Sequence, residues 1–196
     1  MAIDQIELVR RLLGTATQLF LDDADPLSVH CLASSAIEHA EHIAETYSDR
    51  SFKSHVMGTF PDMTKIDFKR LRNRHWKVIK HSHDLSGKPF EVTKELDDFD
   101  DAANDAVLFA GWYDFMKCGQ PIPIAAQVFQ LWFFRMYPKS LNQSKEFEYQ
   151  YFSQLDSLER HEQKRRLRAA IKKESFSDEL LNHPMTDSRP LILPLF

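Results

Sequence analysis

The sequence predicts an all-α protein: an up-and-down bundle of five core helices with a helical C-terminal extension. Apolar residues recur at helical spacing along most of the 196-residue chain, and 43% of the residues are hydrophobic, enough to bury a core. The five glycines are too few for the tight turns of a β-sandwich or barrel. We assign residues 1–142 to the bundle and residues 143–196 to the extension, within one compact unit.

Two helices are predicted in the N-terminal part of the chain. Residues 3–21 place apolar side chains at the three- and four-residue spacing of one helix face. Asp25 is a suitable N-cap and Pro26 a suitable first residue for a second helix, which extends to residue 47. Small residues at helical spacing favour close packing of this helix in the bundle interior. They are Ala33, Ala36, Ala40 and Ala44.

Three more core helices are predicted in the middle of the chain. Residues 48–61 have no periodicity and are expected to form a loop. A third helix is predicted over residues 63–81 and a fourth over 93–118, with Gly119 as its C-terminal cap. A strongly apolar fifth helix covers residues 124–137 and ends at Pro138.

The C-terminal extension is predicted to be helical over residues 146–175, with an interruption near Asp156 and Ser157. Residues 183–196 contain three prolines and no helical period. The last six residues are apolar, and we expect them to pack on the body of the protein or on a partner chain.

The cysteine count and the N-terminal residues predict a cytoplasmic protein. Cys31 and Cys118 are too few for a disulfide framework and are expected to be free thiols in a reducing compartment. The first twenty residues contain four charged side chains, which excludes a signal peptide or a membrane span there. No other segment offers about 18 uncharged apolar residues, so no membrane partner is expected.

Charge is strongly segregated, although the formal net charge is only −4. Residues 64–80 hold seven Lys or Arg and one Asp, and residues 160–173 hold seven Lys or Arg and one Glu. Residues 91–105 hold seven acidic residues and one Lys. Such runs usually form solvated helix faces or pair with one another, but a basic helix can also bind phosphates. The sequence leaves both interpretations open.

The basic third helix carries the main candidate site, Arg74 and His81. Seven residues on an α-helix return to within about 20° of the starting direction, over a rise of about 10 Å. Arg74 and His81 are therefore expected on one helix face, on a stripe shared with Arg70 and Lys77, beside His75 in the neighbouring arc.

An arginine and a histidine in this arrangement suit the chemistry of RNA. A guanidinium can bind two phosphate oxygens. An imidazole can remove the proton of a ribose 2′-hydroxyl or protonate the leaving oxygen without a metal ion. We therefore predict Arg74 and His81 as catalytic residues. The residues predicted to contact nucleic acid are Arg70, His75, Lys77 and Lys80.

Arg74, the polar residue after it, five further residues and His81 resemble the R-x4-6-H signature of the HEPN superfamily. The resemblance implies an all-α bundle, a homodimer and, as in many members, a metal-independent endoribonuclease with this Arg and His at the dimer groove. Other members of the superfamily are non-catalytic modules that bind nucleic acids or nucleotides.

A second resemblance covers most of residues 18–138. The segment 25–30, the pair Lys80 and His81, and the aromatic segment 129–134 look like an uncharacterised bacterial family with patches DP-aihtLa, NFFKHAD and F-xx-WF. This chain departs from that pattern, because Lys77 replaces the Asn and His83 replaces the Asp of the NFFKHAD patch. Both changes alter the polar surroundings of His81.

Other cofactor and metal sites are not predicted. The second helix contains Glu38, His39, Glu41 and His42, but a di-iron bundle needs Glu-x-x-His, which the sequence lacks. No glycine-rich phosphate loop is present, so no nucleotide cofactor is expected.

Two functions follow from these observations. The first is a HEPN-like RNA-binding protein or metal-independent endoribonuclease that acts as a homodimer, with RNA and an antitoxin-like protein as candidate partners. The alternative is a non-catalytic helical scaffold or partner-binding protein. The alternative predicts that intrachain salt bridges hold Arg74 and His81, with the acidic residues 91–105 among the partners.

Overall fold

A computed structural model describes residues 3–47, 51–138 and 152–194, and this part of the chain is predominantly helical, which confirms the all-α prediction. It contains ten α-helices, a short 3-10 turn and two strands of two residues each. The helices are α1 (Gln5–Leu21), α2 (Pro26–Tyr47), α3 (Phe52–Thr59), α4 (Lys65–Arg72), α5 (Trp76–Lys80), α6 (Val92–Glu95), α7 (Ala103–Lys117), α8 (Ile124–Met136), α9 (Arg160–Glu174) and α10 (Asp178–Leu181).

The chain divides into two compact units, Met1–Gly119 and Gln120–Phe196. The boundary predicted after residue 142 falls outside the described residues. None of the helices described in either unit is long and apolar enough to cross a membrane.

Caps fix the first two helices where the sequence places them. The side chain of Asp4 accepts a hydrogen bond from the backbone N of Glu7 at 2.7 Å and caps α1. Asp25 accepts from the backbone N of Ser28 at 2.8 Å, directly before Pro26, the first residue of α2. Both predicted starts are confirmed to within two residues.

Helices α1, α2 and α7 form the core of the first unit. The four alanines of α2 predicted to pack in the interior are fully buried. On α7, Trp112 is fully buried, and its indole N–H donates to the Thr17 hydroxyl of α1 at 2.9 Å. The buried guanidinium of Arg10 lies 5.6 Å from the centre of the Trp112 ring system. Polar and apolar contacts thus fix the same three-helix packing.

The predicted third helix is not continuous. It forms α4 and α5, which are separated by a turn over residues 73–75. Asn73 and His75 are weak helix formers. The turn also lets His75 bond Asp98 and lets the indole N–H of Trp76 donate to Glu38 at 2.9 Å. We infer that these tertiary bonds stabilise the break more than a continued helix would.

Two other segments also differ from the predictions. Residues 48–61 were expected to form a loop but contain α3, which buries no residue fully and therefore has little apolar periodicity. The predicted fourth helix is divided into α6 and α7 by residues 96–102. Four aspartates in this gap disfavour helix, and the carboxylate of Asp100 accepts a bond from the Ala103 backbone. Gly119 ends α7 with a φ of 74°, as predicted for a C-terminal cap.

The second unit contains the predicted apolar helix α8, which packs against α9. The indole N–H of Trp132 on α8 donates to the carbonyl of Gln163 on α9 at 3.3 Å. Strand β1 (Ile122–Pro123) pairs in parallel with β2 (Thr186–Asp187). The interruption predicted near residue 156 is the 3-10 turn Leu155–Ser157, whereas the predicted helical residues 146–151 lie outside the described part.

We predict that Gly111→Ala destabilises the protein. A Cβ atom on Gly111 would lie 2.5 Å from Cδ2 of Leu13, which is fully buried on α1. Overpacking a core costs about 1 to 3 kcal/mol, which exceeds the gain of about 1 kcal/mol from replacing glycine by alanine in a helix. Gly58→Ala in α3 is the control, since nothing lies within 4 Å of its added Cβ.

The free energy of unfolding of both variants is measured by urea denaturation, monitored by circular dichroism. Gly58→Ala should raise the free energy of unfolding by about 0.5 to 1 kcal/mol, and Gly111→Ala should lower it. Equal stabilisation by the two substitutions would contradict the close contact between α1 and α7.

Candidate functional site

Arg74 lies in the turn between α4 and α5 and not inside a helix. Its guanidinium forms an ion pair with the Asp98 carboxylate, and the Nε2 atom of His75 lies 3.0 Å from the other oxygen of Asp98. The hydrogen bond from His75, together with the charge of Arg74, lowers the pKa of Asp98. Asp98 therefore binds the two neighbouring side chains at once.

His81 is not on a helix face shared with Arg74. It follows the last residue of α5, where its backbone is extended with φ −126° and ψ 139°. Its side chain is exposed, and no hydrogen bond or ion pair joins it to another described residue. The expectation that seven helical residues align Arg74 with His81 is therefore wrong, because Arg74 lies in the turn before α5 and His81 lies beyond its last residue.

The other predicted contacts form ion pairs within the first unit. Lys77 Nζ lies 3.0 Å from a Glu95 carboxylate oxygen of α6, and Lys80 Nζ lies 2.7 Å from one of Glu38 on α2. Part of the acidic segment 91–105 thus pairs with the basic segment. This pairing is what the scaffold alternative predicts for Arg74, although His81 is not held in this way.

An exposed cleft of about 260 Å³ lies between the basic and acidic segments. We call it the 70–98 cleft. Four cationic side chains and three carboxylates line it together with one asparagine: Arg70, Asn73, Arg74, Lys77, Lys94, Glu95, Asp97 and Asp98. The structure therefore brings together three of the six predicted site residues. The other three, His75, Lys80 and His81, do not line this cleft.

A second concavity, of about 340 Å³, lies in the same unit and is bounded by α2, α3, α4 and α7. We call it the 30–114 cavity. Its apolar lining is Ile37, Phe52, Val56, Phe68, Leu71, Ala103, Ala106, Val107 and Ala110. Its polar lining is His30, Glu41, Lys53, Arg72, Arg74, His75 and Asp114. This concavity is not predicted from the sequence. The spacing of the three alanines on α7 was the available signal, but alanine at helical spacing also fits ordinary close packing.

His30 is the most deeply buried histidine of the cavity, with 3% of its surface exposed. Its Nδ1 atom lies 3.1 Å from Oδ1 of Asn104, and Nδ2 of Asn104 donates to the carbonyl of Pro26 at 3.0 Å. The Pro26 contact fixes the orientation of the amide, so Nδ1 of His30 carries the proton and Nε2 is an acceptor. Nε2 is buried and has no hydrogen-bond partner. Burial, and then the charge of His75, lowers the pKa of His30 to about 4 against the bond to Asn104, so the ring is neutral near pH 7.

Asp114 also belongs to the cavity lining and is buried, with 2% of its surface exposed. Its Oδ1 atom accepts a hydrogen bond of 2.6 Å from the backbone N of Phe52 and so satisfies the start of α3. Burial raises the pKa of Asp114 to about 6, although the bond from Phe52 opposes this shift.

The carboxylates of the metal-like sequence on α2 are used for structural contacts. Glu38 accepts bonds from Trp76 and Lys80, and Glu41 pairs with Lys53 and Arg72. Among the residues that the structure describes, no three His, Cys, Asp or Glu side chains are grouped to hold a metal ion.

Comparisons with known protein families, with characterised proteins and with solved structures give no match for this chain. Its function is therefore inferred from its own residues and their geometry.

We predict that Asp114→Asn changes the pH dependence of stability. Asp114 has an ordinary pKa of 3.8 and a folded pKa of about 6, so its ionisation removes stability as the pH rises through this window. His30 has an ordinary pKa of 6.5 and a folded pKa of about 4. The folded protein therefore loses stability as the pH falls through that window, because the buried ring has to be protonated. Each shift corresponds to roughly 3 kcal/mol, and in the wild type the two oppose each other.

Asp114→Asn keeps an acceptor for the Phe52 N–H but removes the ionisation. The variant should be more stable than the wild type near pH 7, and this advantage should shrink by up to roughly 3 kcal/mol on acidification to about pH 4. Urea unfolding at several pH values measures the difference, with the exposed residue in Asp62→Asn as the control. A constant difference across this pH range would contradict the raised pKa of Asp114.

Proposed function

We propose that this chain is a HEPN-like, homodimeric helical protein that binds single-stranded RNA at the 70–98 cleft. One observation carries the proposal: three predicted cationic side chains line the same cleft and remain open to solvent. Arg70, Arg74 and Lys77 have side chains that are 76%, 61% and 47% exposed, respectively. Exposed cations grouped in one cleft can contact the phosphates of a nucleic-acid backbone.

The ion pair between Arg74 and Asp98 is weak enough for a phosphate to compete with it. Ion pairs between exposed side chains contribute about 0 to 1 kcal/mol, so a phosphate can replace Asp98 at the guanidinium of Arg74 at little cost. A phosphate offers the guanidinium the same two-oxygen geometry as a carboxylate. In the free protein, Asp98 then holds Arg74 at the cleft until RNA takes its place.

The arrangement of the histidines favours binding over cleavage. His75 is buried and bonded to Asp98, and it lines the 30–114 cavity instead of the 70–98 cleft. His81 is exposed beyond α5 and is not among the residues that line the cleft. An endoribonuclease that uses the predicted imidazole as its general acid or base needs that imidazole at the bound phosphate. The ribonuclease alternative would therefore require the second copy of the chain in the homodimer to supply His81.

A non-catalytic scaffold or partner-binding protein is the second candidate function. The internal ion pairs of Arg74, Lys77 and Lys80 favour it, because these cations already have carboxylate partners inside the first unit. In this function the charges orient α5 and α6, and the partner is a protein, such as an antitoxin-like chain.

We predict opposite effects on RNA affinity for two substitutions in the cleft. Arg74→Ala removes a phosphate contact and should weaken RNA binding by about five- to tenfold, roughly 1 kcal/mol. Asp98→Asn removes the competing charge but keeps an acceptor for His75, and it should strengthen binding by a similar factor. Fluorescence anisotropy of a short labelled single-stranded RNA, measured at several salt concentrations, gives the affinities and the salt slope.

Arg165→Ala is the matched control. The Arg165 side chain on α9 is 63% exposed and is also paired with a carboxylate, that of Glu162. It should leave RNA affinity unchanged. Unchanged affinity in all three variants, or no salt-dependent binding by the wild type, would favour the scaffold function.

Cleavage is tested with the same RNA in the presence of EDTA, followed by a denaturing gel. The RNA should remain intact with the wild type and with His81→Ala. Cleavage by the wild type that is lost in His81→Ala would replace the binding proposal by the ribonuclease alternative. Sedimentation analysis of the full chain tests the homodimer, and a monomer would remove that part of the proposal.

A further inference from the structure

Two charged side chains of the 70–98 cleft have no partner among the residues that the structure describes. The other cations of the cleft each pair with a carboxylate: Arg70 with Asp67, Arg74 with Asp98 and Lys77 with Glu95. By contrast, no hydrogen bond or ion pair joins the side chain of Lys94 or of Asp97 to another described residue. One cation and one carboxylate of the cleft are therefore available to a ligand.

These two residues lie close together in the chain. Lys94 is the third residue of α6, Asp97 is the second residue after its end, and both are exposed. A phosphate beside them would be attracted by the ammonium of Lys94 and repelled by the carboxylate of Asp97. A ligand that uses both side chains must therefore bring a negative charge to Lys94 and hydrogen-bond donors to Asp97.

In RNA, the edge of a base can supply these donors. Single strands leave their Watson–Crick edges free for recognition. On that edge guanine carries two adjacent donors, N1–H and the N2 amino group, which match the two oxygens of a carboxylate. Adenine and cytosine carry an amino group beside a ring-nitrogen acceptor, and in uracil N3–H lies between two carbonyl oxygens. Because a carboxylate repels these acceptors, Asp97 favours guanine.

The other carboxylates that line the cleft are less suited to a base. Glu95 pairs with Lys77, and Asp98 binds both Arg74 and His75. A base at either carboxylate would have to displace a protein side chain, whereas Asp97 has no described partner to lose. For phosphate binding alone the charge of Asp97 is unfavourable. It becomes favourable when the carboxylate accepts hydrogen bonds from the RNA.

We propose that the 70–98 cleft recognises a guanine in single-stranded RNA. The carboxylate of Asp97 accepts hydrogen bonds from N1–H and the N2 amino group of the base, and Lys94 contacts a neighbouring phosphate. This inference rests on the proposed function, because it assigns a base preference to the same RNA-binding cleft.

RNAs that differ in a single base test the preference without changing the protein. Short labelled uridine RNAs carry one central guanosine, inosine or uridine, and fluorescence anisotropy on the full chain gives their affinities at one salt concentration. Inosine differs from guanosine only by the missing N2 amino group. The guanosine RNA should therefore bind about five- to tenfold more tightly than the inosine RNA. Equal affinity for these two RNAs would overturn the proposal.

Asp97→Asn tests the assigned carboxylate. Asparagine offers one acceptor and one donor in place of two acceptors, so the variant should lose the preference for guanosine over inosine. Its affinity for the all-uridine RNA should not fall, because a negative charge is removed from the cleft. Asp62→Asn makes the same charge change at an exposed residue outside the cleft lining and should keep the preference. Circular dichroism verifies the fold of both variants, and a preference that persists in Asp97→Asn would contradict the assignment.

The same measurements separate the base preference from RNA binding itself. Salt-dependent binding of all the RNAs with equal affinity would leave the proposed function intact and overturn only the preference for guanine. Absence of salt-dependent binding to any of them would remove both.

Guanosine monophosphate, used as a competitor, distinguishes a free nucleotide from a residue of RNA. It should compete at least about tenfold more weakly than the guanosine RNA, because it brings only one phosphate to the cations of the cleft. Equal competition would identify the free nucleotide as the ligand and overturn the assignment to RNA.

Discussion

The packing of α2 between α1 and α7 is the constraint on which the first unit depends. The alanines on α2 bring α1 and α7 close, and Gly111 allows α7 to approach Leu13. The more exposed side of α2 carries Glu38 and Glu41, whose carboxylates bind side chains of α3, α4 and α5. His30, near the start of the same helix, lines the cavity. One helix therefore provides the core, the anchor for the basic segment and the buried acceptor.

The long helices could be predicted from sequence because their apolar faces and caps are local signals. Asp25, Pro26 and Gly119 define their ends as expected. The break at residues 73–75 could not be predicted in this way. There the helical period continues through the sequence, while His75 and Trp76 bond to residues that lie far from them along the chain. Tertiary bonds decide the local structure at this point, and a single sequence does not show them.

In the candidate sites, too, some features have a local signal in the sequence and others depend on tertiary contacts. The basic and acidic runs could be found by counting charges, but whether they pair depends on the turn that brings Arg74 to Asp98. The cavity was harder to predict, because it results from volume that the alanines of α7 leave empty. A helical alanine can allow a neighbouring helix to pack closely, or it can leave empty space beside the helix. The sequence does not distinguish these two cases. The buried state of His30 likewise requires three-dimensional packing.

The turn at residues 73–75 also makes the cleft and the cavity neighbours. Asp98 lines the cleft and binds Arg74 there, and it also holds the ring of His75, which lines the cavity. Loss of this carboxylate thus releases one group on each side of the turn. Replacement by asparagine keeps the bond to His75 and removes only the charge that faces Arg74. The charge of Asp98 therefore acts on Arg74 in the cleft, whereas its hydrogen bond positions His75 in the lining of the cavity.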